Sequence, residues 1–262
     1  MSGRGGRART WWRVLGSLLT IVVVGWVVLQ VVAVLARSEA PVDAVAAAEG
    51  LATLVVELDG GSLEVRGTDG DQVVLAGTLV SGWRTNELER RRDGDELVLR
   101  TDCPDGPIDS FCSADLVVEV PRELALRVRS NNTSVQLIGL DGDLDVGTSN
   151  DAVLGDDLGG EHVRVRSSND RVELVGLRSP MVDVQTSNDR VGLTFIGPPD
   201  DVRVRTSNDR VEVVVPDSEA SYVVDTATSN GSTSTDVRSD PAATRRIDVR
   251  TSNDDVVVRY PG

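Results

Sequence analysis

Of the 262 residues, one is histidine, two are cysteine and none is lysine, and Trp, Tyr and Phe together make up 3% of the chain. A zinc centre needs more soft ligands than one histidine and two cysteines provide. The histidine, His162, follows Glu161, and no serine stands in a nucleophile-elbow sequence, so a Ser-His-Asp arrangement is not indicated. Few aromatics leave little to stack on sugar rings. Acids that recur with a repeat lack the paired spacing and contrasting environments of a glycosidase. The sequence therefore predicts neither an enzyme nor a cofactor. A net charge of −15, with every one of the 27 basic residues an arginine, excludes nucleic acid as a natural partner.

What the chain has is a repeat. One short turn recurs seven times as SNNTSV, TSNDAV, SSNDRV, TSNDRV, TSNDRV, TSNGST and TSNDDV. Its asparagines are Asn132, Asn150, Asn169, Asn188, Asn208, Asn230 and Asn253, at intervals of 18, 19, 19, 20, 22 and 23 residues. A fixed period of this length marks an array whose units bury their apolar faces against one another. Alternating tripeptides such as Val163-Arg164-Val165 precede the turns, and runs such as Arg171-Val172-Glu173-Leu174 follow them. Each unit is then strand, tight turn, strand, loop.

Coiled and hairpin arrangements both satisfy that order, and the outward charges choose between them. Repeat by repeat, the residue between the two apolar ones is Arg127, Asp145, Arg164, Asp183, Arg203, Val223 and Asp248. The sign alternates at every charged step. Parallel coils stack such residues about 4.8 Å apart, where like charges are destabilising. The expected fold is all-β: a parallel β-solenoid of about seven coils of roughly 19 residues, capped by irregular strands. Stacking also predicts a hydrogen-bonded asparagine ladder at the turn, capping hydroxyls from Thr148, Thr186, Thr206 and Thr251, and an inward file of Leu140, Leu158, Leu177 and Ile196 at the opposite corner.

Ahead of the repeats, residues 1–13 carry four arginines and no acid, and residues 14–35 carry no charge. That pattern predicts a cytoplasmic basic tail (1–13), one transmembrane helix (14–36) and a linker (37–50). The domain at 51–262 would then be extracytoplasmic on a single-pass membrane protein, with a cap at 51–120 and repeats at 121–262. A cleaved signal peptide is the alternative. In an exported domain, Cys103 and Cys112, which flank the turn-rich segment PDGPIDSF, are expected to form a disulfide. Residues 232–246 break the period and read as a protruding loop. That loop and residues 81–86, which include Trp83, are the places to look for recognition.

Several segments carry a resemblance: ELDGGSLEVRG (Glu57 to Gly67), the two-cysteine loop, VVEVPRELALRV (Val117 to Val128) and the strand-TSND-strand units. Together they resemble the bacterial "putative adhesin" family of β-strand-repeat domains, of a type that often follows one membrane span in actinobacteria. The likeness covers roughly residues 50–262. It implies a β-repeat architecture and brings no catalytic residues with it. This chain has Asn-Asp where the family usually has glycine in the turn.

The turn aspartates Asp151, Asp170, Asp189, Asp209 and Asp254 would form an acidic file, and oxygen ligands are what calcium takes. Arginines follow three of them, however, and the Gly-Gly-x-Gly-x-Asp signature of calcium-binding rolls is absent. The functional expectation is a non-catalytic, membrane-anchored envelope protein that serves in adhesion or as a surface scaffold toward an unidentified protein or glycan. The alternative is an envelope sensor that binds a ligand outside and couples through the membrane helix.

Overall fold

The computed structural model of the protein describes residues 15–28, 37–82, 85–101 and 112–262. A helix covers 15–28, and every described residue from 37 onward is in a strand, turn or loop. Among the described residues no helix is long and apolar enough to cross a membrane. The expected transmembrane helix over 14–36 is corrected accordingly. Residues 1–14 and 29–36, with the basic tail, lie outside the described residues.

The first strands are β1 (Ser38–Ala47), β2 (Thr53–Thr68), β3 (Gln72–Ser81), β4 (Leu88–Asp93), β5 (Glu96–Thr101) and β6 (Ser113–Pro121). The middle of the chain gives β7 (Ala125–Leu140), β8 (Leu144–Gly147), β9 (Val153–Leu158), β10 (His162–Arg166), β11 (Val172–Leu177), β12 (Met181–Gln185) and β13 (Val191–Phe195). Then come β14 (Asp201–Arg205), β15 (Val211–Val214), β16 (Tyr222–Ala227), β17 (Thr233–Asp236), β18 (Arg245–Arg250) and β19 (Val256–Arg259).

These strands form two parallel ladders, because each coil contributes one strand before its turn and one after it. In the first sheet β7, β8, β10, β12 and β14 pair in that order, all parallel. In the second sheet β7, β9, β11, β13 and β15 do the same. The long strands β2 and β7 cross from one sheet to the other and pair along nearly their whole length. Inward residues stack by type: Val128, Val146, Val165, Val184, Val204 and Val249 form one fully buried file. Val153, Val172, Val191, Val211 and Val256 form another on the second sheet. Period-two alternation thus becomes a continuous aliphatic core enclosed by charged faces.

At both ends the coils depart from chain order. β18 lies between β14 and β16, and β19 lies between β15 and β17, so the last coil in sequence is inserted beneath its predecessor. At the other end β5 and β6 stack outside β2, while β7 stacks on its inner side. β3 extends the second sheet antiparallel to β6, β1 pairs antiparallel to β3, and β4 covers β5.

Three expectations change as a result. Residues 37–50 are not a bare linker, because Val42, Ala44 and Ala46 alternate against the core and make 38–47 a strand. Residues 232–246 do not simply protrude, since β17 pairs in register with β19. Finally, the ELDGGSLEVRG segment belongs to a regular coil rather than an irregular cap. Gly60 stacks on Asn132 there, and Gly61, at φ +114°, pairs with Ala114, whose carbonyl oxygen a Cβ would meet at 2.2 Å. Only glycine fits that approach.

The corner opposite the turn shows a fourth change. Leu140, Leu158 and Leu177 are fully buried, but Ile196 is 59% exposed and Phe195 takes the inward place. Each of the three leucines follows a residue in the left-handed conformation: Gly139, Asp157 and Gly176. The β13 coil lacks that extra residue, so the pairing jumps from Leu174–Leu193 to Leu177–Phe195 and Ile196 turns outward. A one-residue difference reverses which side chain faces the core.

Candidate interaction surface

The turn edge is the most regular part of the exterior. Asn169, Asn188, Asn208 and Asn253 each donate twice, once to a neighbouring asparagine and once to a serine carbonyl. Asn169 donates to Asn150 Oδ1 at 2.7 Å and to the Ser149 carbonyl at 3.2 Å, and Asn188 donates to Asn169 Oδ1 at 2.7 Å and to the Ser168 carbonyl at 3.1 Å. Asn150 donates to Asn132 at 2.8 Å, and Asn208 to Asn188 at 2.6 Å. The ladder then follows space rather than sequence. Asn253 donates to Asn208 Oδ1 at 2.7 Å, and Asn230 donates to Asn253 at 2.8 Å. Stacked amides polarise one another along such a chain and fix the register of every turn.

The aspartates that follow serve the backbone. Asp170, Asp189, Asp209 and Asp254 each accept a hydrogen bond from the next residue's amide at 2.6 Å. Asp151 occupies the equivalent place in its own coil, after Asn150. Among the described residues no group of three or more His, Cys, Asp or Glu side chains stands close enough to hold a metal ion. The inner hydroxyls do less capping than expected. Thr251 donates to the Asp209 carbonyl at 3.1 Å and Thr148 reaches the Thr133 carbonyl at 3.5 Å, whereas Thr186 and Thr206 have buried hydroxyls with no partner.

The first sheet carries the charge column on its outer face. Register places Arg127 opposite Asp145, Asp145 opposite Arg164, Arg164 opposite Asp183 and Asp183 opposite Arg203. Direct vertical contact is made by Arg164 and Asp183, at 3.9 Å. The tighter pairs are diagonal: Arg129 to Asp145 at 2.6 Å, and Arg166 to Asp145 at 3.6 Å. Arg127 turns instead to Glu96 at 3.4 Å, and Arg203 to Asp201 at 2.6 Å.

At the inserted coil the strict alternation fails. Asp248 stacks between Arg203 and Asp225, and Arg205 stacks directly on Arg250. Arg250 offsets both like-charge contacts, holding Asp248 at 2.9 Å and Asp225 at 3.4 Å, with Arg246 adding a second contact to Asp225 at 3.4 Å. Single exposed pairs contribute about 0–1 kcal/mol, so the lattice acts mainly by making wrong registers unfavourable.

His162 lies at the margin of this face, its backbone amide donating to Asp143 Oδ1 at 2.9 Å and its ring 3.5 Å from the same carboxylate. Cys112 is not a free thiol. Cys103 and the loop between the cysteines lie outside the described residues, as does Trp83, so the expected disulfide and the recognition loop at 81–86 are not described in full.

No family model matches the chain, and no curated protein matches it. Several solved structures are similar in shape, two of them as follows. A putative adhesin from Bacteroides fragilis aligns over 84% of this chain and 98% of its own, at 9% identity and a TM-score of 0.52. A putative cell adhesion protein from Clostridium sporogenes covers 86% of this chain and 100% of its own, at 9% identity and a TM-score of 0.39. At such identity the Bacteroides fragilis likeness speaks for the fold alone: an all-β, solenoid-like domain shared with a bacterial protein described as an adhesin.

Proposed function

We propose that the protein is a non-catalytic adhesion or surface-scaffold protein of the bacterial envelope, acting outside the cytoplasm on a protein or glycan partner. One observation carries this reading: identical asparagines are presented at a fixed spacing of about 4.8 Å along a continuously hydrogen-bonded turn edge. Such an array suits a repetitive partner, because weak contacts made in register add without further ordering of the protein. The fold shared with the Bacteroides fragilis protein supports the same reading.

Capture of native envelope fractions by the immobilised full chain is the test. Retention of a defined component, lost when the chain is unfolded, is the expected result, and equal retention by the unfolded chain would remove the proposal. The reading includes a disulfide between Cys103 and Cys112 that staples the edge near β6. Alkylation with mass detection should modify both cysteines only after reduction.

A further inference from the structure

We propose that the outer face of the second sheet binds a linear acidic glycan, with successive carboxylates seated on Arg171, Arg190 and Arg210. This deepens the adhesion reading by naming a ligand class and a surface. The three arginines sit just before β11, β13 and β15 and stack in consecutive coils. The Val172 amide donates to the Arg190 carbonyl at 3.0 Å, and the Val191 amide to the Arg210 carbonyl at 3.1 Å.

Nearly every other described arginine is held by a carboxylate or a backbone carbonyl. Arg171, Arg190 and Arg210 are not: none makes a side-chain hydrogen bond or ion pair among the described residues, and Arg210 Nε is buried without a partner. The neighbouring Asp170, Asp189 and Asp209 each commit one oxygen to a backbone amide. Three like charges directly stacked are destabilising. The first sheet avoids such a file in its central coils, and where the inserted coil stacks Arg205 on Arg250, Asp248 and Asp225 offset it. Asp255 takes the next place in this file and feels the charge of Arg210, and Asp170, Asp189 and Asp209 line the same cleft, yet none of these acids forms an ion pair with the three arginines. A local rule broken without an internal ion pair marks a place where a ligand supplies the missing contacts.

Beside the file lies a shallow cleft of about 490 Å³. Gly192 opens its floor, standing in register between Glu173 and Glu212. A Cβ there would meet only Glu173 Cγ, at 3.9 Å, so the space is free rather than filled by a neighbour. Glu212 is held by Arg259 at 2.8 Å, while Glu173 has no partner.

The cleft thus offers guanidinium donors along one line and carboxylate acceptors along the next. A sugar acid presents the complement on each unit: a carboxylate to accept from arginine and hydroxyls to donate to glutamate. A polyphosphate carries charge without hydroxyl donors, and would be repelled by Glu173 and Glu212. No aromatic side chain lines the cleft, so recognition would be by charge and hydrogen bonds.

Calorimetric titration of the full chain with soluble polygalacturonate, polyphosphate and dextran tests the proposal. The expected result is binding of polygalacturonate in preference to the other two, weakened as salt screens the arginines. The triple variant Arg171→Gln, Arg190→Gln, Arg210→Gln should lose affinity by about tenfold or more. Gly192→Leu, which fills the cleft without removing a charge, should weaken binding as well. Removing equal charge from the first sheet with Arg127→Gln, Arg164→Gln and Arg203→Gln should change affinity less than about twofold. Circular dichroism checks that each variant is folded. Absence of binding, preference for polyphosphate, or equal loss in the two triple variants would overturn the proposal. Envelope capture that persists in the Arg171, Arg190, Arg210 variant would leave adhesion standing and sink this surface alone.

Discussion

The two outer faces of the solenoid are built from the same backbone repeat but treat charge in opposite ways. On the first sheet, arginines and aspartates alternate up the central stack, and diagonal pairs such as Arg129–Asp145 satisfy them internally. On the second, Arg171, Arg190 and Arg210 share one sign and form no side-chain hydrogen bond or ion pair among the described residues. Parallel stacking brings every residue type next to its equivalents, so each outward column must either alternate or stay repulsive. The first face is organised for register. The second holds charge in reserve for something outside the chain.

Both faces hang on a single aliphatic core, and breaking it should cost most. Leu174 is fully buried at the centre, and Leu174→Ala should destabilise by about 2–5 kcal/mol in chemical denaturation. The asparagine ladder comes next. Asn188→Ala removes donors to Asn169 and the Ser168 carbonyl and an acceptor for Asn208, and should cost about 1–2 kcal/mol by the same measurement.

The contrast between faces is sharpened by two charge reversals. Asp183→Arg would place an arginine between Arg164 and Arg203, stacking three in a row, and should lose about 0.2–1 kcal/mol. Arg190→Glu would place an acid between Arg171 and Arg210 and should gain a similar amount. Equal and like-signed effects from the two would erase the distinction drawn here.

The smallest effect is one of pH. Asp255 is held below the usual carboxylate range by the Ser232 amide, then by the Ser232 hydroxyl, with Arg210 adding to the same direction. A carboxylate lowered in the folded state contributes stability that is present above its ordinary value and is lost as pH falls through the lowered one. Ser232→Ala keeps the amide and removes the hydroxyl bond at 2.7 Å, so the Asp255 titration should move part of the way up, read by carboxyl-carbon NMR.

The period of the turns, the inward valines and the central charge column were legible in the sequence because stacking repeats a residue's environment every coil. Coil order at the ends was not. Sequence spacing cannot tell that the 245–259 coil slips between 201–214 and 222–236, because Asn253 fits the ladder equally well above or below Asn230. Ile196 was misplaced for a different reason, since the extra left-handed residue before Leu140, Leu158 and Leu177 is missing from the β13 coil and spacing alone conceals it. The arginine file was written in the repeated SNDR turns, but it took the observed partners of most other described arginines to show that these three lack an ion pair. The N-terminal apolar stretch predicted a span that the described helix is too short to make.

Through-space proton contacts between backbone positions at the C-terminal end test the stacking most directly. The account predicts contacts of Val204 with Val249 and of Val224 with Ile247, as in-register parallel neighbours, and none between β14 and β16. Direct contacts between Val204 and Val224, with β18 at the outer edge, would contradict it.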